Sequence, residues 1–438
     1  MLLTIEKLIY GGDGLARLPA DDHGRGKAVF VPFVLAGEKI EATLTEQKAN
    51  FARAHATAVV GPSPQRVAPP CPYFARCGGC HYQHTSYEHQ LEIKKEILRE
   101  NLRRIAKLEL QCEIQLHPSP PWNYRNRSRL QIHTLPDFAI GYFRFASHEL
   151  LPVEQCPISS PLINRGIAAL WHAGKAVEGV REIEFFANEN DSRLLLELVC
   201  DPEARRAAVR AWAEELCAAM PEIAGITAFR EAKKGVQEPL VTVGMPEMAY
   251  RTNAGNYRVS AGSFFQTNRF LTDELVKIVT AGRSGELALD LYAGVGLFST
   301  ALAGVFRHIV CVETSQTAAG DLAYNLPVNG KAVHAAVEWY VNELGDKGRA
   351  GPGAILPQLH HKPDLVVVDP PRSGLGERVA RWLADSEAPR VTYVSCDPAT
   401  LARDLLPLLA SGYRVEEVHL VDLFPQTYHL ESVVQLVR

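Results

Sequence analysis

The segment Val391–Asp404, VTYVSCDPATLARD, leaves the chain little choice of local structure. Its first four residues are β-branched, apolar or aromatic and read as a buried strand. Ser395-Cys396-Asp397-Pro398 then breaks the strand. Proline suits a first helical turn, and the aspartate before it can accept hydrogen bonds from the free N–H groups of that turn. Thr400–Leu406 continues with helical character. Strands that run into helices in this way build open α/β sheets, which bind ligands at the carboxyl ends of their strands. Cys396 lies on that turn. The helix N-terminus favours negative charge there, so the sequence predicts a lowered thiol pKa and a nucleophilic thiolate. Taken alone, a cysteine is more often a small buried hydrophobe.

The carboxyl third repeats this build. Leu287–Leu291 is a mostly apolar strand with Asp290 near its end, and Tyr292-Ala-Gly294-Val-Gly296 turns it toward a helix, letting a ligand approach the backbone closely. Ile309–Glu313 is a second strand closing on an acid. Its distance beyond the glycine turn, about 20 residues, suits a carboxylate that holds ribose hydroxyls. Asp364–Val368 ends in Asp369-Pro370-Pro371-Arg372, whose prolines stiffen the turn that presents the carboxylate. The third glycine of the dinucleotide fingerprint is missing, and no Walker-type lysine follows, which disfavours a nucleotide triphosphatase. A last strand pair near Tyr413–Leu423 leads into FPQTYHLES, residues 424–432. By themselves Glu431 reads as a surface acid and His429 as a core histidine.

A length of 438 residues suits two or three domains, 47% apolar residues suffice for real cores, and a net charge of −4 announces no nucleic-acid partner. MLLTIEKLIY is too short and too charged for a signal peptide, and no run approaches a membrane span. Nine cysteines, three of them within Cys71–Cys80, argue against a disulfide framework and for metal or catalytic use in a reducing cytoplasm. A monomer is the default state.

Residues 1–60 alternate short strand-like runs with turns such as Gly11-Gly12-Asp13-Gly14 and predict a small, OB-like β-barrel. The proline-rich stretch 61–70 marks a boundary. Cys71, Cys77 and Cys80 follow with the spacing C-x5-C-x2-C. Zinc and iron–sulfur clusters both need a fourth ligand, for which Cys156 is the best candidate; zinc completed by His81 or His84 stays open. Residues 61–262 read as a central α+β domain with helices at Tyr87–Lys107, which carries a basic face including Lys94, and at Pro202–Ala219. On a strand, Arg125, Arg127 and Arg129 point to one side, next to Trp122 and Tyr124. They suit RNA phosphates and bases, with a salt-bridged structural strand as the alternative.

Several of these stretches resemble known families. IYGGDGLAR with VFVPFVLAGEKIEA resembles the TRAM domain, an RNA-binding module. FFQTN, LDLYAGVG, VVVDPPRSG, YVSCDPATLARDL and FPQTYHLESV resemble, in order and spacing, the RNA uracil-5-methyltransferases over essentially the whole chain. YRNRSRLQ is similar to that family's YRN-R motif, and CPYFARCGGCHYQH with a distant QCP resembles its 4Fe–4S site. The resemblance to the TRAM-bearing subgroup implies 23S ribosomal RNA as substrate. It implies a Rossmann-like methyltransferase domain at 263–438, with Cys396 as nucleophile and Glu431 as general base. Gln266, Tyr292, Gly294, Glu313 and Asp369 are implied to bind S-adenosylmethionine, Asp369 also facing the uracil. Cys71, Cys77, Cys80 and Cys156 are implied to hold a 4Fe–4S cluster.

Such chemistry calls for these residue types. Carbon 5 of uracil is a weak nucleophile until a thiolate adds at carbon 6, and a base must then remove the carbon 5 proton. The base must leave its stack to reach the pocket. Methylation of uridine 54 in tRNA is the rival within the class. An exocyclic-amine N-methyltransferase would use the DPP turn without Cys396, and a non-catalytic RNA-binding iron–sulfur protein would need neither. Ala293 stands where many relatives carry cysteine, the adenine contact within 332–340 has no evident residue, and Lys347–Pro363 looks like a loop insertion.

Overall fold

The computed structural model describes residues 1–19, 26–134, 136–231, 237–345 and 362–438, so the loop expected at Lys347–Pro363 lies outside the described residues up to 361. Three main sheets organise the chain. The amino-terminal sheet has six strands in the order Leu2–Thr4, Lys39–Gln47, Phe51–Gly61, Ala28–Pro32, Asp13–Arg17, Lys7–Leu8. Its alternating pattern buries Leu3, Val29, Val31, Ile40 and Ala52 on one side. The glycine-rich turn is shorter than the sequence suggests. Only Gly11 and Gly12 adopt positive φ, 105° and 93°, and the strand already begins at Asp13.

The central sheet has seven strands between Arg127 and Gly244, with the helices Pro161–Ala173 and Arg206–Ala219 packed against it. The first of these was not legible in the sequence, though Ser160 caps it and Gly174, at φ 61°, ends it. The second begins at Arg206 rather than Pro202.

The carboxyl sheet has eight strands in the order Gly330–His334, Phe306–Glu313, Gly285–Leu291, Leu365–Val368, Arg390–Ser395, Glu431–Val437, Arg414–Val421, Ile114–His117. The first five are parallel, and Glu431–Val437 is antiparallel to both its neighbours. Strand order reverses direction beside Gly285–Leu291, the topological switch point where such sheets bind ligands.

The expected boundary at 262/263 does not match the packing. Ile114–His117 adds an edge strand to the carboxyl sheet, and Leu98 and Leu102 of the helix Tyr87–Arg104 lie in the same core as Leu289 and Val366. The hairpin Glu247–Thr252/Gly255–Ser260 likewise buries Tyr250 and Tyr257 against Phe298 and Leu302. Apolar faces on these earlier elements fit the carboxyl layer, so the chain crosses between units more than once. No described helix is long and apolar enough to cross a membrane.

The helix Tyr87–Arg104 is anchored by an ion pair rather than by its whole basic face being solvated. Lys94 Nζ lies 2.6 Å from Asp422 Oδ1 with both side chains fully buried, and it also donates to the Phe424 carbonyl at 2.9 Å. Removing one partner strands the other charge. Lys94→Met is expected to cost about 3–5 kcal/mol, seen as a lower urea midpoint, and the double variant Lys94→Met/Asp422→Leu to recover most of it.

Candidate active site

Strand register brings together residues far apart in sequence. Leu291 pairs with Val312 on one side and Val368 on the other, Val368 pairs with Tyr393, and Ser395 pairs with Ser432. Each strand then ends in a residue singled out from the sequence: Glu313, Tyr292, Asp369 and Cys396 follow one another across the sheet. The antiparallel strand completes the row from the opposite direction. Because Ser395 faces Ser432, the residue after Ser395 and the residue before Ser432 are neighbours, and these are Cys396 and Glu431. Directly opposed residues in such a pair lie about 4.5–5.5 Å apart at Cα.

Glu431 is 5% exposed, so the surface-acid reading fails. Burial and the neighbouring Asp369 push its carboxyl well above the ordinary range. Burial and Asp290 raise Asp369 to about 7, and burial raises Asp290 to about 7 as well. This run of buried acids favours a cationic ligand, and a sulfonium is one.

The expectation of a lowered thiol pKa at Cys396 is overturned. Burial, with Glu431 and Asp369 beside it, pushes the thiol up to about 12, and Arg372 pulls weakly the other way. The helix end cannot compensate. The Asp397 carboxylate already accepts the N–H groups of Ala399 and Thr400, both at 2.9 Å, so the cap spends the positive end of the helix next to the thiol. His429 packs on Phe424 and Tyr428, and burial lowers its pKa to about 3, which keeps the ring neutral.

On the other side of the row, Glu313 accepts the Gly294 N–H at 2.8 Å and the Ser315 N–H at 2.7 Å, which fixes its carboxylate at the glycine turn. Among the described residues nothing lies within 4 Å of where a Gly294 Cβ would stand. Tyr292 adopts φ 66°, a conformation that costs a non-glycine residue energy and clusters at functional sites, and its buried hydroxyl has no partner among the described residues. An orphaned donor, an open glycine backbone and a fixed carboxylate together fit the polar groups of S-adenosylmethionine. Gln266 is 9% exposed. The stretch leading to it is tied down by Ser263, whose hydroxyl donates to Asp321 at 2.7 Å and whose carbonyl accepts from Arg127 at 2.7 Å.

The arginines are a correction to the sequence reading. Arg127 is buried between Glu184 and Glu197, and Arg129 pairs with Glu184 and Glu182. Arg125 precedes the strand, and its Nε donates to the Arg127 carbonyl. The salt-bridged strand describes Arg127 better than RNA contact does, because its fork is buried between two carboxylates, whereas the Arg129 side chain stays 47% exposed beside Glu184.

Arg125 and Arg129 both line a cavity of about 180 Å³ together with Cys71, Cys77, Cys80 and Cys156. All four cysteines are free thiols, and burial raises Cys77 to about 11, with Cys156 and Cys71 adding to the rise. Among the described residues no three histidine, cysteine or acidic side chains gather around a point where a single ion would sit. His81 and His84 do not line the cavity; His81 stacks near Phe33 and meets Tyr428 edge to face, and His84 Nε2 meets the Val34 carbonyl.

Comparison with known proteins gives a consistent result. A TRAM-domain model matches residues 1–57. A model described as tRNA (uracil-5-)-methyltransferase matches residues 86–438. An RNA methyltransferase of Aquifex aeolicus is 32% identical over 437 residues, covering 99% of this chain and 97% of its own. Another, of Streptomyces avermitilis, is 32% identical over 457 residues, with 99% and 97% covered. The solved structure of the Pyrococcus abyssi tRNA (uracil-54, C5)-methyltransferase in complex with S-adenosyl-L-homocysteine has the same fold. Its TM-score is 0.73 over 100% of both chains, at 24% identity.

The raised thiol has a direct consequence. Alkylation of Cys396 by iodoacetamide in the free protein, followed by peptide mapping, is expected to climb about tenfold per pH unit from 7 to 9 without a plateau. A thiol lowered by its helix would level off below pH 8.

Proposed function

Because this chain belongs to the tRNA (uracil-5-)-methyltransferase family and begins with a TRAM domain, we propose that it methylates carbon 5 of a uridine in 23S ribosomal RNA through a covalent adduct with Cys396. The pairing of Ser395 with Ser432 carries this reading, since it sets a thiol beside a buried carboxyl at the mouth of a methyltransferase sheet. S-adenosylmethionine supplies the methyl group and leaves as S-adenosylhomocysteine. Cys396 Sγ adds to carbon 6 of the flipped uracil, and its proton passes to Asp369, whose carboxyl near 7 suits it as acceptor at neutral pH. The electron pair of the 5,6 bond moves to carbon 5 and takes the methyl group. Glu431 removes the proton left on carbon 5, the double bond re-forms, and the thiolate leaves to be reprotonated by Glu431. Asp369 returns its proton to solvent, so one proton is released per methyl transferred.

Cys71, Cys77, Cys80 and Cys156 line one cavity with Arg125 and would hold a 4Fe–4S cluster there, the guanidinium offsetting part of the charge of four thiolates. Its part is to tie the segment after the linker to the central domain. The family's own description favours a second reading, in which the uridine lies in tRNA.

Loss of 5-methyluridine at one 23S position in cells lacking the gene is the expected outcome of mass-spectrometric mapping; loss from tRNA would shift the substrate to the second reading. Cys396→Ala is expected to abolish transfer. Glu431→Gln should slow turnover about 10²–10⁴-fold and accumulate a protein–RNA adduct that survives denaturing electrophoresis. Anaerobically purified protein is expected to contain iron and acid-labile sulfide, both lowered in Cys156→Ser; zinc without sulfide would replace the cluster by a single ion.

A further inference from the structure

Tyr10 belongs to the amino-terminal sheet's first turn, yet its hydroxyl donates a 3.0 Å hydrogen bond to the carbonyl oxygen of Cys396. The contact is part of a reciprocal clasp. Tyr10 packs on the core of the carboxyl sheet, while Tyr428, from the loop before Glu431, packs on the core of the amino-terminal sheet. Their rings meet edge to face at 5.5 Å and 88°. Gly12, two residues after Tyr10, is held at φ 93°, and a Cβ there would stand 3.0 Å from the His81 ring. The N–H groups of His81 and Tyr82 both donate to the Gln426 carbonyl, at 2.9 and 3.0 Å, and the His81 ring meets Tyr428 at 4.6 Å. The glycine turn, the loop after Cys80 and the loop before Glu431 are therefore interlocked.

The bond to Cys396 falls where regular structure offers nothing. The strand ladder ends with the Ser395–Ser432 pair, and the helical bonds begin with Leu401 N–H donating to the Asp397 carbonyl at 3.1 Å. The Cys396 carbonyl lies between these two systems, and the Tyr10 hydroxyl is its donor. Orientation of that peptide sets the direction of the Cys396 Cα–Cβ bond, and so where the thiol points. Burial and the neighbouring Asp397 raise the Tyr10 pKa, which keeps the hydroxyl a donor across the neutral range.

We propose that Tyr10 is a positioning residue for the Cys396 nucleophile, so that the amino-terminal domain completes the catalytic centre in addition to meeting RNA. The inference rests on the reading of Cys396 as nucleophile. Small misplacements of a reacting atom are costly because covalent addition needs a near-attack geometry. Tyr10→Phe keeps the ring contacts with Tyr428 and removes only the hydroxyl.

The test compares wild type and Tyr10→Phe in covalent trapping by a 23S ribosomal RNA transcript made with 5-fluorouridine, which lacks the carbon 5 proton that elimination needs. At saturating RNA and S-adenosylmethionine the trapping rate is expected to fall about tenfold, with the RNA Kd and the Tm unchanged. An unchanged rate, or a loss that saturating RNA abolishes, overturns the proposal. A wild type that forms no adduct means that the nucleophile or substrate reading has failed. The iodoacetamide rate at Cys396 then decides on Tyr10: several-fold faster alkylation in Tyr10→Phe supports a turn held by the hydroxyl, and equal rates overturn it.

Discussion

The catalytic half of this protein depends on one strand running the wrong way. Had Glu431–Val437 joined the sheet parallel to Arg390–Ser395, its first residue would sit at the opposite end from Cys396. Its antiparallel insertion places Glu431, a residue at the start of a strand, beside Cys396, a residue at the end of one. Backbone hydrogen bonds along both edges hold that register, and the Ser432 hydroxyl adds a bond to the Ser395 carbonyl. Every residue of Glu431–Val437 is buried, so a one-residue slip would exchange its side chains between the two cores that flank it, and packing on both faces protects the geometry of the pair.

Electrostatics follow from the same placement. Asp290, Asp369 and Glu431 are acids whose pKa values burial raises, each with a neighbouring carboxylate adding to the rise. A thiol among them stays neutral, because its helix end is already satisfied by Asp397. The site therefore sets a neutral thiol beside a row of acids whose pKa values are raised. Structural charge elsewhere is paired away, as with Lys94 and Asp422, or Arg127 between Glu184 and Glu197.

Local signals carried much of this. The strand–turn–helix around Cys396, with Asp397 as cap and Pro398 in the first turn, forms as its residues direct. The turns at Gly294 and Asp369 lie at strand ends for the same reason: glycine, proline and short polar side chains act within a few residues of themselves. The helix Pro161–Ala173 carries local signals of its own, with Ser160 as cap, Pro161 in the first turn and Gly174 at its end, but its short apolar run suits a strand as well. The arginines of the strand Arg127–His133 misled because a basic stretch looks alike whether its partners are phosphates or the carboxylates of a neighbouring strand.

What the sequence by itself determined is the set of local units and the residue types they present: strands ending in acids, a cysteine on a capped turn, four cysteines and an open glycine backbone. What only the tertiary structure decided is which of those residues meet. Cys396 and Glu431 come together by strand register, Arg127 is withdrawn into a buried ion pair, and Tyr10 crosses from one sheet to the active turn of another. Thiol acidity was decided at that level too. Capping is a short-range property, but the desolvation and neighbouring carboxylates that raise Cys396 exist only when distant strands pack side by side.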